Sequence, residues 1–374
     1  MNFLQKNFLS FLFAVIFSFF SCNDMRDAET PNALPDTAYD WGRMFVLCEG
    51  LFNSNNSTLA CIDYDAQTLY RDFFNELGGN KRGLGDTAND MQLFNNQLWI
   101  VVNISSQIEV LDILSGKSIR QIPLFSEENG TKTARQPRNI VFHDNKAYVC
   151  SFDGTVTRIN TQTFEVEATV ECGRNPDGIA LANGKLYVSN SGGLDANQGL
   201  SYDNTVSVID IDTFREIKKI ETGMNPHKIH ADSQGDVYVV ARGNNFDIKA
   251  RFQRIDSQTD ELAESFDDLA AVNFVIRNDT AYMYNFDYEH ESYWVKSFDC
   301  INENVISEQF ISDETVFDKP FGIYAHPITG DVFVSDAKTY DRYGTIFCFD
   351  RQGKLRYKIE EIGLNPNSFL FVEM

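Results

Sequence analysis

Apolar and polar residues alternate in short runs through most of the chain, most clearly over residues 174–223. There Gly178–Ala182 is apolar, Asn183-Gly184 turns the chain, and Lys185–Ser189 returns. Asn-Gly is the strongest short hairpin signal, because both residues accept the positive φ of a type I′ turn. A polar loop runs to Asn204. Asn204–Ile211 then sets Val206, Val208, Ile209 and Ile211 against polar partners, Asp212-Thr213 turns, and Arg215–Glu221 closes the unit. A period near two with frequent turns predicts four antiparallel strands.

The unit recurs. Leu98–Val102, Ala147–Ser151, Leu186–Asn190, Val237–Ala241, Ala281–Asn285 and Val332–Asp336 align as second strands. Several first strands open on proline, at Pro137, Pro176, Pro226 and Pro320. Third strands repeat at Ile108–Asp112, Val156–Asn160, Val206–Asp210, Phe252–Asp256 and Ile346–Asp350. That makes six full units. Asn365–Val372 supplies a first strand with nothing after it, while Met44–Cys48, Leu59–Tyr64 and Thr68–Phe74 supply second to fourth strands without a first. One blade shared by the two ends latches a ring and removes open sheet edges. Residues 43–374 then give about 47 residues per blade, the size of a four-stranded blade. The predicted fold is all-β, a seven-bladed β-propeller of four-stranded antiparallel blades closed by a blade shared between N- and C-terminal strands.

Composition narrows the partners. The formal charge of −22 repels phosphate backbones and excludes nucleic acid as a partner. Thirty-one Phe and fifteen Tyr suit strands. The N-terminus reads differently: Lys6, the apolar run Phe8–Phe20 and Ser21-Cys22 form a secretory signal. It is shorter than the ~20 apolar residues of a spanning helix. The expected organisation is a signal peptide over 1–21, a flexible tether over 22–42, and the propeller over 43–374. Six further cysteines (Cys48, Cys61, Cys150, Cys172, Cys300, Cys348) permit disulfides in an exported chain. The strand reading leaves open a Cys48–Cys61 pair across a hairpin. No C-x-x-C pair exists, so a zinc cluster is not expected.

In a propeller, the loops before each first strand and between second and third strands open on one face around the axis, and function is commonly built on such loops. The second-to-third connections Glu49–Ser57, Ser191–Asp203, Arg242–Arg251, Phe286–Tyr293 and Ala337–Gly344 are long, so the rim should wall a cup. Its expected lining is Phe52, Asn53, Asn55, Tyr202, Asn204, Arg242, Asn245, Phe246, Tyr288, Tyr293, Trp294, Tyr340, Arg342 and Tyr343. The first-strand approaches add Arg138, Arg174, Asn175, Asp177, Asn225, His227 and Asn367. Tyr and Trp offer contact area with a polar tip, Asn both donates and accepts, and Arg suits anions. Taken singly, each of these also fits a turn or a packing role. Catalysis has little support. Five histidines occur, His227 and His230 fall on opposite strand faces, and no H-E-x-x-H, G-x-S-x-G or P-loop motif is present. No cofactor and no metal site is expected.

The stretches FVLCEGLFNSNNSTLACIDYD (45–65), YDNTVSVIDIDTFREIKKIETGMNPHKI (202–229) and PITGDVFVSDAKTYDRYGTIFCFDRQGKL (327–355) resemble the YncE-like, DUF5074-type propeller lipoproteins of Bacteroidetes. The likeness spans residues 43–374, although the family has Asn where this chain has Cys48. Cys22 directly after the apolar run resembles a lipobox cysteine, and the acidic Asp24, Asp27 and Glu29 resemble a surface-export signal. The resemblance implies a non-enzymatic outer-membrane lipoprotein, held by its lipid alone and facing the cell surface, with the periplasmic face as the alternative. It further implies capture of a small nutrient, cobalamin or another corrinoid first, for a TonB-dependent transporter. Ferric-siderophore binding, a metal-dependent lactonase or lyase, and a protein- or glycan-binding scaffold are the alternatives.

Overall fold

The structure, a computed structural model, describes residues 42–373 apart from Asn245. The expected signal 1–21, Cys22 and the tether up to 41 lie outside the described residues. Seven four-stranded antiparallel sheets succeed one another along the chain. Blades 1 to 6 occupy residues 88–123, 137–171, 176–221, 226–266, 273–307 and 320–359. Blade 7 combines Pro366–Val372, innermost, with Arg43–Cys48, Thr58–Asp63 and Thr68–Tyr70. Arg43 pairs with Val372 and Cys48 with Pro366, so the two ends of the ring share one sheet.

Burial explains why the second strands carry the apolar signature. Strands such as Leu98–Val102, Leu186–Asn190 and Val332–Asp336 are buried at every position, because neighbouring blades cover both faces. Outermost strands such as Val166–Glu171 alternate between exposed and half-buried residues and are correspondingly charged. The apolar side chains gather into seven clusters, one in each gap between neighbouring blades. In the hairpin of blade 3, Ala182 pairs with Lys185, leaving Asn183 and Gly184 at φ 46° and 69° as the type I′ turn requires.

Three local readings change and one hairpin is added. The expected fourth strand Thr68–Phe74 ends at Tyr70. Asp72 caps a helical turn Phe73–Glu76 that buries both Phe73 and Phe74. The connection expected over Phe286–Tyr293 is largely paired, since the strands Thr280–Asp287 and Ser292–Asp299 run on and pair Phe286 with Tyr293. A hairpin of Phe125–Glu128 and Thr131–Ala134 stands between blades 1 and 2. Cys48 and Cys61 do not face one another. The register sets Cys48 against Thr58 and Cys61 against Phe45, and all six described cysteines are free.

Candidate functional site

A repeated backbone device brings side chains to the axis. The first residue of an innermost strand pairs with the end of the second strand, and the register then slips. Asn89, Arg138, Asp177, His227 with Lys228, Phe321 with Gly322, and Asn367 fall in these slips. A bulge re-aims the extra side chain, and proline is tolerated as the first residue of a strand. Blade 5 has neither proline nor bulge, and Asn273 there pairs directly with Tyr284. The preceding residue is left-handed in five blades: Thr87, Gln136, Asn175, Asn225 and Asn365 lie at φ 47–60°. Asn reaches this region more readily than most residues. In six blades the carbonyl of the preceding residue accepts from the N–H that follows the second strand, as in Ser191 to Asn175 (3.1 Å) and Arg242 to Asn225 (2.9 Å).

Side chains then tie each blade to the next. Asn103 Nδ2 donates to Pro137 O (3.1 Å), Asn139 Nδ2 to Asp177 O (2.9 Å), and Ser189 Oγ to His227 O. Arg242 Nε donates to Val272 O (3.0 Å), and Tyr284 Oη with Asn273 Nδ2 (3.2 Å) to Phe321 O. Ser335 Oγ reaches Pro366 O (2.5 Å), and Asn367 Nδ2 reaches Ala88 O (3.1 Å), completing the circle. At about 1 kcal/mol net for each bond, the larger effect is to fix where the axial residues stand.

They line a cup of about 330 Å³. One side is charged and continuously bonded. His227 Nε2 donates to Asp177 Oδ2 (3.0 Å), and Arg138 Nε and Nη2 donate to Asp177 Oδ1 (3.1 and 3.0 Å). Arg138 Nη1 reaches Asn89 Oδ1 (2.6 Å), and Asn89 Nδ2 donates to Glu49 Oε1. The Arg138 guanidinium also covers the Phe152 ring at 4.6 Å. The other side is aromatic: Tyr284, Phe286, Tyr288 and Phe321. Tyr288 Oη bonds Tyr340 Oη (2.8 Å), and Phe286 meets Tyr288 edge-on at 4.8 Å. Lys228 and Arg242 also line it.

The electrostatics follow from burial and neighbours. Burial alone would raise the Asp177 carboxyl, but Arg138 and His227 beside it hold it well below the usual range. Burial raises Glu49 and Asp90 against the pull of nearby cations. Burial lowers the Lys228 ammonium, with Asp90 and Asp177 opposing, and lowers the Arg242 guanidinium. The His227 imidazole is pushed down to about 4, by burial first and Arg242 next. It is neutral at pH 7, donating from Nε2 while Nδ1 has no partner.

Of the residues expected from sequence, Arg138, His227, Arg242, Tyr288 and Asn367 line this cup. Asp177 is bonded to two of them, and Tyr340 to Tyr288. Asn55 and Tyr343 instead meet at a separate hollow of about 240 Å³ with Asp72 and Asn75. The backbone N–H groups of Asn53 and Asn55 donate to Asp86. Tyr293 and Trp294 line a hollow of about 350 Å³ beside Glu308 and Asp313, and Tyr293 Oη donates to Thr315 O (3.3 Å). Arg174 pairs with Asp195 (3.1 Å), Asn175 bonds Phe152 O (3.1 Å), and Asn225 bonds Gly243 O (3.3 Å). Tyr202 is half-buried, and Asn204, Arg342, Phe52 and Phe246 are exposed. Asn245 is outside the described residues. Sequence reasoning passed over Glu49, Asn89, Asn139, Lys228, Asn273, Tyr284, Phe286 and Phe321, all of which line the cup. The position after a strand-opening proline marks Phe321, while Ala88 in place of that proline hides Asn89.

No curated protein matches this chain. Solved structures share its fold at low identity. A quinonprotein alcohol dehydrogenase-like protein from Bacteroides thetaiotaomicron has a TM-score of 0.63 and 14% identity, covering 89% of this chain and 78% of that one. Hydrazine synthase of Kuenenia stuttgartiensis has a TM-score of 0.56 and 15% identity, covering 68% and 74%. The Pan2 WD40 domain of Neurospora crassa has a TM-score of 0.53 and 12% identity, covering 72% and 78%. These likenesses show the propeller and nothing finer. Residues 42–359 match the domain of unknown function DUF5074, and the chain belongs to that family.

Proposed function

We propose that this propeller captures a small molecule in its axial cup and catalyses no reaction. The observation that carries this reading is the cup, whose charged and aromatic walls are held in place by bonds running through every blade. A preformed concave site loses little entropy on binding. The metal-dependent lactonase alternative requires a histidine and carboxylate cluster. Among the described residues no group of three His, Cys, Asp or Glu side chains is placed to hold a metal ion, and His227 spends Nε2 on Asp177.

The fuller reading adds a lipid anchor at Cys22, cell-surface exposure, and delivery of a corrinoid nutrient to a TonB-dependent transporter. It rests on the sequence resemblance. A corrinoid exceeds the cup, so one edge would enter while the remainder lay over the rim. Phe52, Leu200, Phe246 and Tyr343 are exposed on four separate second-to-third loops. Calorimetric titration with cyanocobalamin tests the reading. Saturable heat at micromolar concentrations supports it, and no heat removes the corrinoid.

A further inference from the structure

We propose that the group seated in the cup is an aromatic ring bearing a carboxylate, an inference that rests on the cup being the binding site. The argument is an accounting of which polar groups are already partnered. Both oxygens of Asp177 are taken, by Arg138 and His227, and Glu49 Oε1 accepts from Asn89. The Asp90 oxygens accept the backbone N–H groups of Ile140 (3.0 Å) and Met91 (2.9 Å). Each carboxylate thus has a partner and Arg138 is spent on Asp177 and Asn89, whereas Arg242 and Lys228 keep donors free. Arg242 is anchored through Nε to Val272 O, leaving its two Nη groups without an acceptor among the described residues. Lys228 has no hydrogen bond or ion pair there, and Asp90 and Asp177 act on it only through space. Lys228 is half-buried, and an ammonium partly withdrawn from water without a partner is costly. What the cup lacks is an anion.

The rest of the cup specifies what carries it. Tyr284, Phe286, Tyr288 and Phe321 form one wall, and their bonds and edge contacts prevent collapse onto the cations. Such faces take a planar ring by stacking or edge contact. The free Nη pair of Arg242 presents the fork that matches a carboxylate. A cup of about 330 Å³ is at the small end for ligand sites, suited to one or two rings. A neutral sugar would leave Lys228 and Arg242 unanswered, and a bare metal cation would meet only carboxylates that are already engaged.

The test uses the folded, purified chain and calorimetry with 4-hydroxybenzoate and indole-3-acetate. 4-Hydroxybenzamide supplies a ring without charge, and acetate a charge without a ring. At least one aromatic acid should bind about tenfold or more tighter than either control, the worth of one hydrogen bond to a charged group. Lys228→Gln should weaken that preference, with the Arg242 fork retaining part of it, without lowering the melting temperature. Equal binding of acid and amide overturns the inference, as does an unchanged affinity in Lys228→Gln. The acid–amide comparison on the unmodified chain stands whether or not that variant folds. Failure of both acids to bind while cyanocobalamin binds overturns the aromatic carboxylate alone. Failure of every probe removes the cup reading as well.

Discussion

At the scale of single residues, Asp177 is the pivot of the cup, since Arg138 and His227 both satisfy themselves on its carboxylate. Asp177→Asn keeps the shape and removes the charge, leaving a buried guanidinium without its counterion. It should cost about 3 kcal/mol in chemical denaturation. Glu49→Gln should cost under about 1 kcal/mol, because burial already favours its neutral form and Gln still accepts from Asn89. A pH effect belongs here too. Burial pushes His227, His230 and His326 down to about 4, from 6.5 in the unfolded chain. Between those values the unfolded chain takes up protons that the folded chain refuses, so stability falls as pH drops from about 6.5 to about 4. Glu49, Asp90 and Asp232, raised by burial, and His290, raised by its bond to Asp287, act in the opposite sense. Urea midpoints at pH 7 and pH 5, measured with and without a given histidine, isolate its share of this loss. His230→Gln should reduce the slope by up to about 1.4 kcal/mol per pH unit.

At the scale of elements, the close approach of blades 3 and 4 depends on Gly178. A Cβ there would meet His227 O at 2.5 Å and Ile229 Cγ2 at 2.9 Å. Gly178→Ala should therefore cost about 1–3 kcal/mol and weaken ligand binding, because His227 moves with the strand. Gly184→Ala, at a turn facing open space, should cost about 1 kcal/mol for its positive φ and leave binding unchanged. Melting temperature and affinity measured together separate the two. Elements also show what the sequence could reveal. Arg138, Asp177, His227 and Asn367 were legible because each follows a strand-opening proline. Asn89 was not, since Ala88 replaces the proline in its blade, and Phe321, although it follows Pro320, reads as an ordinary core residue. Tyr293 and Trp294 were placed on the rim because nothing local marks how far the blade 5 hairpin continues. Lys228 lies in a bulge that no local pattern announces, and its environment comes from several blades.

At the scale of the whole molecule, repetition made the ring legible, with its blade count and shared seventh blade. The cup was less so, because its residues are spread over blades far apart in sequence and only closure brings them together. Phe369 and Phe371 hold that closure in the cluster between blades 6 and 7. Phe369→Ala should cost about 3–5 kcal/mol. Limited proteolysis should then cut faster within residues 43–70, although the substitution lies at the other end of the chain.

The shared blade also bears on synthesis. Asn365 Nδ2 bonds Gly50 O (2.9 Å) across 315 residues of sequence. The first strand made waits for the last before its free edge is covered. Until Pro366–Val372 leaves the ribosome, Arg43–Cys48 presents the apolar run MFVLC, after Arg43, with an unpaired edge. Such an edge invites pairing with other nascent chains. A chain truncated before residue 366 is thus a candidate for aggregation and chaperone capture, even though six of its seven blades are complete.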